Sequence, residues 1–116
     1  ISIHMVLSPR SRGVVTAADL ALMKPTAYFV NTSRAPLVDN AALAQALAQG
    51  RIAGAALDVY EVEPLPAAEA LRREPRAVLT PHIGYVTEET YRMFYGGMVE
   101  CIEGWLADKP VRVIAG

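Results

Sequence analysis

Ile52-Ala53-Gly54-Ala55-Ala56-Leu57-Asp58-Val59 is an apolar run with a single carboxylate near its end. Short, small-residue-rich and almost uncharged, it reads as a buried strand packed closely against helices. Working outward, residues 41–49 place Leu43 and Leu47 four apart behind Asp39, a good N-cap, and Gly50 supplies the stop. Before that, residues 27–31 (Ala-Tyr-Phe-Val-Asn) read as a strand, and residues 32–38 as a loop holding Pro36. Thr16 and Asp19 have the spacing of a capping box, with Leu20 and Met23 behind them and Pro25 ending the helix. Residues 1–7 are apolar and β-branched, again a strand, and residues 8–13 form a loop.

Downstream, residues 61–76 carry Pro and Glu, residues 77–80 read as a fourth strand, and Thr87 caps a last helix. Glu88 and Glu89 suit the positive end of that helix, and Tyr91, Phe94, Met98, Ile102 and Trp105 recur along it at helical spacing. Gly96 and Gly97 in its middle predict another backbone packing close, and residues 111–114 read as a terminal strand after Pro110. The order β-α-β-α-β-β-α predicts an α/β fold, a parallel sheet flanked by helices.

Composition narrows the classes. At 116 residues the chain has room for one small domain, and 53% hydrophobic against 20% charged residues is a globular balance. A net charge of -1 leaves no basic footprint for nucleic acid or an anionic membrane. One Cys and two distant His argue against a disulfide or a structural zinc site. No uninterrupted apolar run spans a bilayer and no signal peptide opens the chain, which makes the cytoplasm the expected compartment. The chain opens within an apolar run and without Met, so further protein is expected upstream.

Each apolar run ends in polar residues: His4, then Asn31-Thr32-Ser33-Arg34, then Asp58, then Thr80-Pro81-His82. In open parallel α/β sheets, ligands bind beyond the carboxyl ends of the strands, so a cation, a carboxylate and an imidazole are expected to converge there, with Glu63 just past Asp58. Arg offers a planar fork for a carboxylate, and His is suited to proton transfer near neutral pH. An adjacent Glu fixes the ring of such a His. The trio fits reduction of a 2-keto acid, and since no side chain carries a hydride, a nicotinamide cofactor is required. Blander roles compete: Arg34 as a solvated loop residue, Glu63 beside Glu61 as an acidic turn, Asp58 as a cap, His82 as a turn residue. Ser33 has no His or Asp at nucleophile-elbow spacing, and Cys101 reads as a small core hydrophobe.

Asn31-Thr32-Ser33-Arg34, Val38-Asp39, Gly54-Ala55-Ala56-Leu57-Asp58-Val59-Tyr60-Glu61-Val62-Glu63-Pro64 and Leu79-Thr80-Pro81-His82-Ile83-Gly84 together resemble the D-isomer-specific 2-hydroxyacid dehydrogenases, the group that includes phosphoglycerate dehydrogenase. The resemblance implies an oxidoreductase that moves a hydride between NAD or NADP and a D-2-hydroxy acid. It implies that Arg34 grips the substrate carboxylate, His82 is the general acid/base and Glu63 is its partner. It also implies that Met5, Val6, Thr32, Ser33, Arg34, Asp58, His82 and Gly84 line the cofactor, with Asp58 on the nicotinamide carboxamide. Residues 1–86 would be the second half of a Rossmann-type NAD-binding domain, and residues 87–116 a helix and tail returning to a substrate domain. No G-x-G-x-x-G occurs, so the phosphate loop is expected upstream and the 116 residues alone are expected to be inactive. A homodimer is implied for the intact enzyme. Ala35, Val6 and Tyr85 depart from the family's usual residues, and Tyr85 is expected to shape the substrate pocket. The rival reading is an NAD-sensing corepressor of the same superfamily, a binding protein without metabolic turnover.

Overall fold

The computed structural model describes residues 1–114. Two compact units result, Ile1–Gly84 and Tyr85–Gly116.

The first unit is built on four parallel strands, β1 (Ser2–Ile3), β2 (Tyr28–Asn31), β3 (Gly54–Leu57) and β4 (Ala77–Leu79), lying side by side in chain order. The register is continuous: Ile3 pairs with Asn31, Asn31 with Leu57, and Leu57 with Leu79. Residues paired in this way point to the same face, so Ile3, Phe29, Asn31, Ala55 and Leu57 share one side of the sheet. Helices α1 (Ala17–Ala21) and α2 (Asn40–Ala48) form the crossovers. Crossovers between parallel neighbours are right-handed, and strands added in one direction therefore put both helices on that same side.

Leu20 of α1 and Leu43, Ala46 and Leu47 of α2 meet Ile3, Phe29, Ala55 and Leu57 there, with Leu37, Val38 and Ile52 closing the core. The opposite face carries Tyr28 and Val78, each 65% exposed. Gly54 is small for a local reason. A Cβ there would come within 2.7 Å of the Arg76 carbonyl oxygen and 3.3 Å of the Tyr28 ring.

Local signals behave as read. The Thr16 hydroxyl accepts from the Asp19 N–H while the Asp19 carboxylate accepts from the Thr16 N–H, completing the capping box. The Asp39 carboxylate accepts from the Ala42 N–H, and Gly50 takes φ +64° just past α2. Strand lengths differ from the reading. Residues 1–7 yield only Ser2–Ile3, because the edge strand is defined by its pairing with Val30 and Asn31 alone. Residues 52–59 shrink to Gly54–Leu57, matching the four residues of β2. The loop over 32–38 contains a 3-10 turn, Ala35–Leu37, and the stretch over 61–76 contains a second, Ala70–Arg73.

The second unit is α3 (Glu88–Leu106) with the segment after it. Thr87 caps it by accepting from the Thr90 N–H. None of its residues is buried, and Tyr91, Phe94, Met98 and Trp105 are all exposed. The terminal strand expected over 111–114 does not form, for no strand among the described residues pairs with it. Arg112 instead turns through φ +56° and its guanidinium pairs with Glu100. Among the described residues, no backbone from outside the helix comes within 4 Å of where a Cβ would stand at Gly96 or Gly97, and the Arg112 guanidinium lies 3.5 Å from that point at Gly97. The close backbone is at Gly104, where a Cβ would meet the Lys109 carbonyl oxygen at 2.8 Å. Among the described residues, no helix is long and apolar enough to cross a membrane.

Candidate active site

The ladder delivers the polar residues to one edge. Past the last paired residues, the Asp58 N–H donates to the Asn31 carbonyl and the Thr80 N–H donates to the Leu57 carbonyl, both at 3.0 Å. The segments starting at Thr32, Asp58 and Thr80 therefore leave the sheet together at its carboxyl edge.

Asp58 organises this edge. It is 3% exposed. Its Oδ1 accepts from the Thr80 hydroxyl and from the Ile83 N–H at 2.9 Å, and its Oδ2 accepts from the Gly84 N–H at 2.8 Å. Burial alone would raise the carboxyl, but the bonds from Thr80, Ile83 and Gly84, with the His82 charge added, hold it below the ordinary carboxylate value. The turn it grips places His82 at φ +58°, a left-handed conformation uncommon for residues other than glycine. Gly84 fits tightly, since a Cβ there would lie 3.0 Å from Asp58 Oδ2 and 3.9 Å from the Thr32 Cβ. Thr32 and Gly84 thus face each other across the edge.

His82 Nδ1 meets Glu63 Oε2 at 2.7 Å. The other Glu63 oxygen accepts from the Tyr60 N–H at 2.8 Å. The His82 bond and then the Tyr60 N–H lower the Glu63 carboxyl below its ordinary value, and the Arg34 charge adds to the effect. The carboxylate is therefore charged across the neutral range, and it orients the imidazole with Nε2 left for a ligand. Tyr60 also bridges the site from beneath: its hydroxyl lies 2.9 Å from both the Leu57 and the Thr80 carbonyl oxygens. A cleft of about 490 Å3 opens beside the pair, lined by Tyr60, Glu63, Leu65, Arg72, Leu79 and His82 among others.

Arg34 is exposed, with one guanidinium N–H on the Ser33 carbonyl. Ser33 ties this loop to β1 through a 2.8 Å bond from its hydroxyl to the Ile3 carbonyl. Met5 and Val6 lie beyond β1 and are exposed; the Val6 carbonyl accepts from the Ser11 hydroxyl at 2.7 Å. His4 pairs with the Ser2 hydroxyl rather than with any of these groups. Asp58 is thus hydrogen-bonded to Gly84 and Glu63 to His82, the two pairs being linked through the 82–84 backbone; Thr32 abuts Gly84, and Ser33 and Arg34 share the adjoining loop. The segment carrying Met5 and Val6 is tied to this loop at its start by the Ser33–Ile3 bond.

Three contributors carry roles that the sequence reading does not assign: Asn31, whose amide braces the Arg34 loop, Tyr60, and Thr80. Asn31 and Thr80 stand within the polar clusters that end their strands, and that position is the signal available. For Tyr60, nothing local shows that its hydroxyl reaches Thr80, twenty residues away.

Residues 1–84 match the family described as D-isomer specific 2-hydroxyacid dehydrogenase, NAD binding domain. A glyoxylate reductase of Thermofilum pendens is 47% identical over 89 residues, covering 77% of this chain and 26% of the relative. A glycerate dehydrogenase of Methylorubrum extorquens is 35% identical over 116 residues, 98% of this chain and 37% of the relative. The crystal structure of a D-isomer specific 2-hydroxyacid dehydrogenase from Xanthobacter autotrophicus Py2 aligns with a TM-score of 0.80 at 39% identity, over 96% of this chain and 36% of that one. That enzyme has also been solved in complex with NADPH and MES. The chain thus spans about a quarter to two fifths of the length of these relatives. With 84 of its 116 residues matched, and the parallel sheet and its polar carboxyl edge in place, the chain belongs to the D-isomer specific 2-hydroxyacid dehydrogenase family, through its NAD binding domain.

Proposed function

We propose that this chain carries the proton-transfer and carboxylate-binding groups of an NAD(P)-dependent D-2-hydroxyacid dehydrogenase. The observation that carries the reading is the 2.7 Å His82–Glu63 pair, set at the carboxyl edge of the sheet beside the Arg34 loop. When bound, the nicotinamide supplies the hydride for reduction of a 2-keto acid or takes it up in oxidation of the 2-hydroxy acid. Arg34 holds the substrate carboxylate with the guanidinium N–H groups not spent on Ser33, which fixes which face of the carbonyl is presented. His82 donates a proton from Nε2 to the carbonyl oxygen in reduction and removes it in oxidation, while Glu63 holds Nδ1.

The edge fits the nicotinamide end of a dinucleotide. Gly84 leaves its backbone bare beside Thr32, where a Cβ would crowd Asp58. Asp58 already accepts three donors, so one acceptor position at most remains for a carboxamide, and much of its work is to hold the turn at 82–84. Thr32, Ser33, Met5 and Val6 would complete the wall. A cytoplasmic setting and a homodimer fit a metabolic dehydrogenase of this kind, and the exposed Tyr91, Phe94 and Trp105 of α3 offer apolar surface for assembly.

The test is steady-state kinetics of the full-length protein on a panel of 2-keto acids, glyoxylate and hydroxypyruvate included, with NADH and NADPH. His82→Ala is expected to lower kcat by roughly a hundredfold or more, the usual worth of a positioned acid/base. Arg34→Lys is expected to lose most of kcat/KM, because a point charge replaces a planar fork. Absence of turnover on every acid, or wild-type kinetics in both variants, would refute the assignment.

A further inference from the structure

We infer that Asn31 is a positioning residue for Arg34: its buried amide locks the backbone on both sides of the Arg34 Cα and so aims the guanidinium. The inference rests on the carboxylate-binding role proposed for Arg34. Asn31 is the last residue of β2 and is 1% exposed. Its Oδ1 accepts from the Ser33 N–H at 3.0 Å, and its Nδ2 donates to the Arg34 carbonyl at 3.0 Å. Those two groups bracket the backbone of Ser33 and Arg34, and Arg34 is held extended at φ -149° and ψ 137°. Ala35 and Leu37, both buried, anchor the chain immediately after it.

The choice of an amide follows from the two partners. The Ser33 N–H needs an acceptor and the Arg34 carbonyl needs a donor, at opposite ends of one short side chain. A carboxylate has no donor, a hydroxyl lacks the reach to serve both, and an aliphatic chain serves neither. Asn31 also joins this loop to the rest of the site, since its own carbonyl accepts from the Asp58 N–H. One residue thus sets the spacing between the loop that carries Arg34 and the carboxylate that holds the His82 turn.

A merely structural asparagine would lower stability and leave substrate handling alone. A positioning asparagine acts through Arg34, and that difference is measurable in the full-length enzyme. Asn31→Ala is expected to raise KM for the best-used 2-keto acid roughly tenfold or more, as small misplacements of an orienting group do. In an Arg34→Ala background, adding Asn31→Ala should cost little more, because the group it aims is gone. An equal loss of kcat/KM in both backgrounds would overturn the inference. If Arg34→Ala itself leaves KM unchanged, the Arg34 assignment fails first, and the two failures are distinguishable. Should Asn31→Ala not fold, amide hydrogen exchange on the wild-type protein decides. The Ser33 N–H is expected to be protected to the level of the β2 amides, and rapid exchange there would overturn the inference.

Discussion

Asp58→Asn changes one oxygen into an amide nitrogen at the point where three donors converge. If the remaining oxygen keeps Thr80 and Ile83, the new nitrogen faces the Gly84 N–H, donor against donor; if the amide is flipped, Thr80 and Ile83 lose their acceptor instead. Hydrogen bonds to a charged group contribute about 1.5–3 kcal/mol each, and an orphaned buried N–H costs about 1–3 kcal/mol. The substitution should therefore destabilise the fold by about 2–4 kcal/mol at neutral pH. The sign with pH follows from the carboxyl being held below its ordinary value in the fold. Its stabilisation is complete above the unfolded value of about 3.9 and is lost as pH falls through the lower folded value. The gap between wild type and Asp58→Asn should thus be full at neutral pH and narrow progressively below about pH 4. Urea unfolding at a series of pH values, followed by circular dichroism, reads both quantities. A gap under about 0.5 kcal/mol at neutral pH, or one of constant size into the acid range, would refute the account of Asp58 as a charged anchor.

Gly54→Ala should destabilise by about 1–3 kcal/mol, since the new methyl collides with the Arg76 carbonyl rather than with a side chain that can swing aside; thermal unfolding checks this, and an unchanged Tm would count against it. Leu47→Ala should cost about 2–5 kcal/mol, because Leu47 is fully buried between α2 and the sheet, and denaturant midpoints measure it. Thr16→Ala should cost about 1 kcal/mol through loss of the cap on α1, a far smaller effect on the same assay. Tyr60→Phe, which removes the hydroxyl shared between Leu57 and Thr80 but keeps the N–H on Glu63, should lower stability by roughly 1 kcal/mol while kcat changes little.

What could be read in advance was what is local. The caps at Thr16 and Asp39 bond within three residues of themselves, so their spacing contains their geometry. The strand cores could be read because parallel strands in this register show continuous apolar runs, and the polar residues after them mark where the ladder stops. Strand ends could not, because the two-residue length of β1 is set by a neighbour nearly thirty positions away. For the same reason residues 111–114 keep their β-branched look without a strand to join. Arg34, Asp58, Glu63 and His82 stand out in the sequence as residue types suited to chemistry, but the donors that hold them do not. An asparagine at a strand end or a tyrosine after an aspartate gives no local hint of which carbonyl it will meet.

Several of the hydrogen bonds that shape the edge join residues far apart in the chain. Ser33 to Ile3 spans thirty positions, Asp58 to Thr80, Ile83 and Gly84 spans 22 to 26, and Glu63 to His82 spans 19. Each requires a long loop to have closed and its two strands to have found register. A half-assembled sheet could hold helical caps and a partial core while His82 and Glu63 remain strangers. Regain of activity after dilution from denaturant should therefore trail the return of helical signal, and competence for chemistry becomes a report on the completion of folding itself.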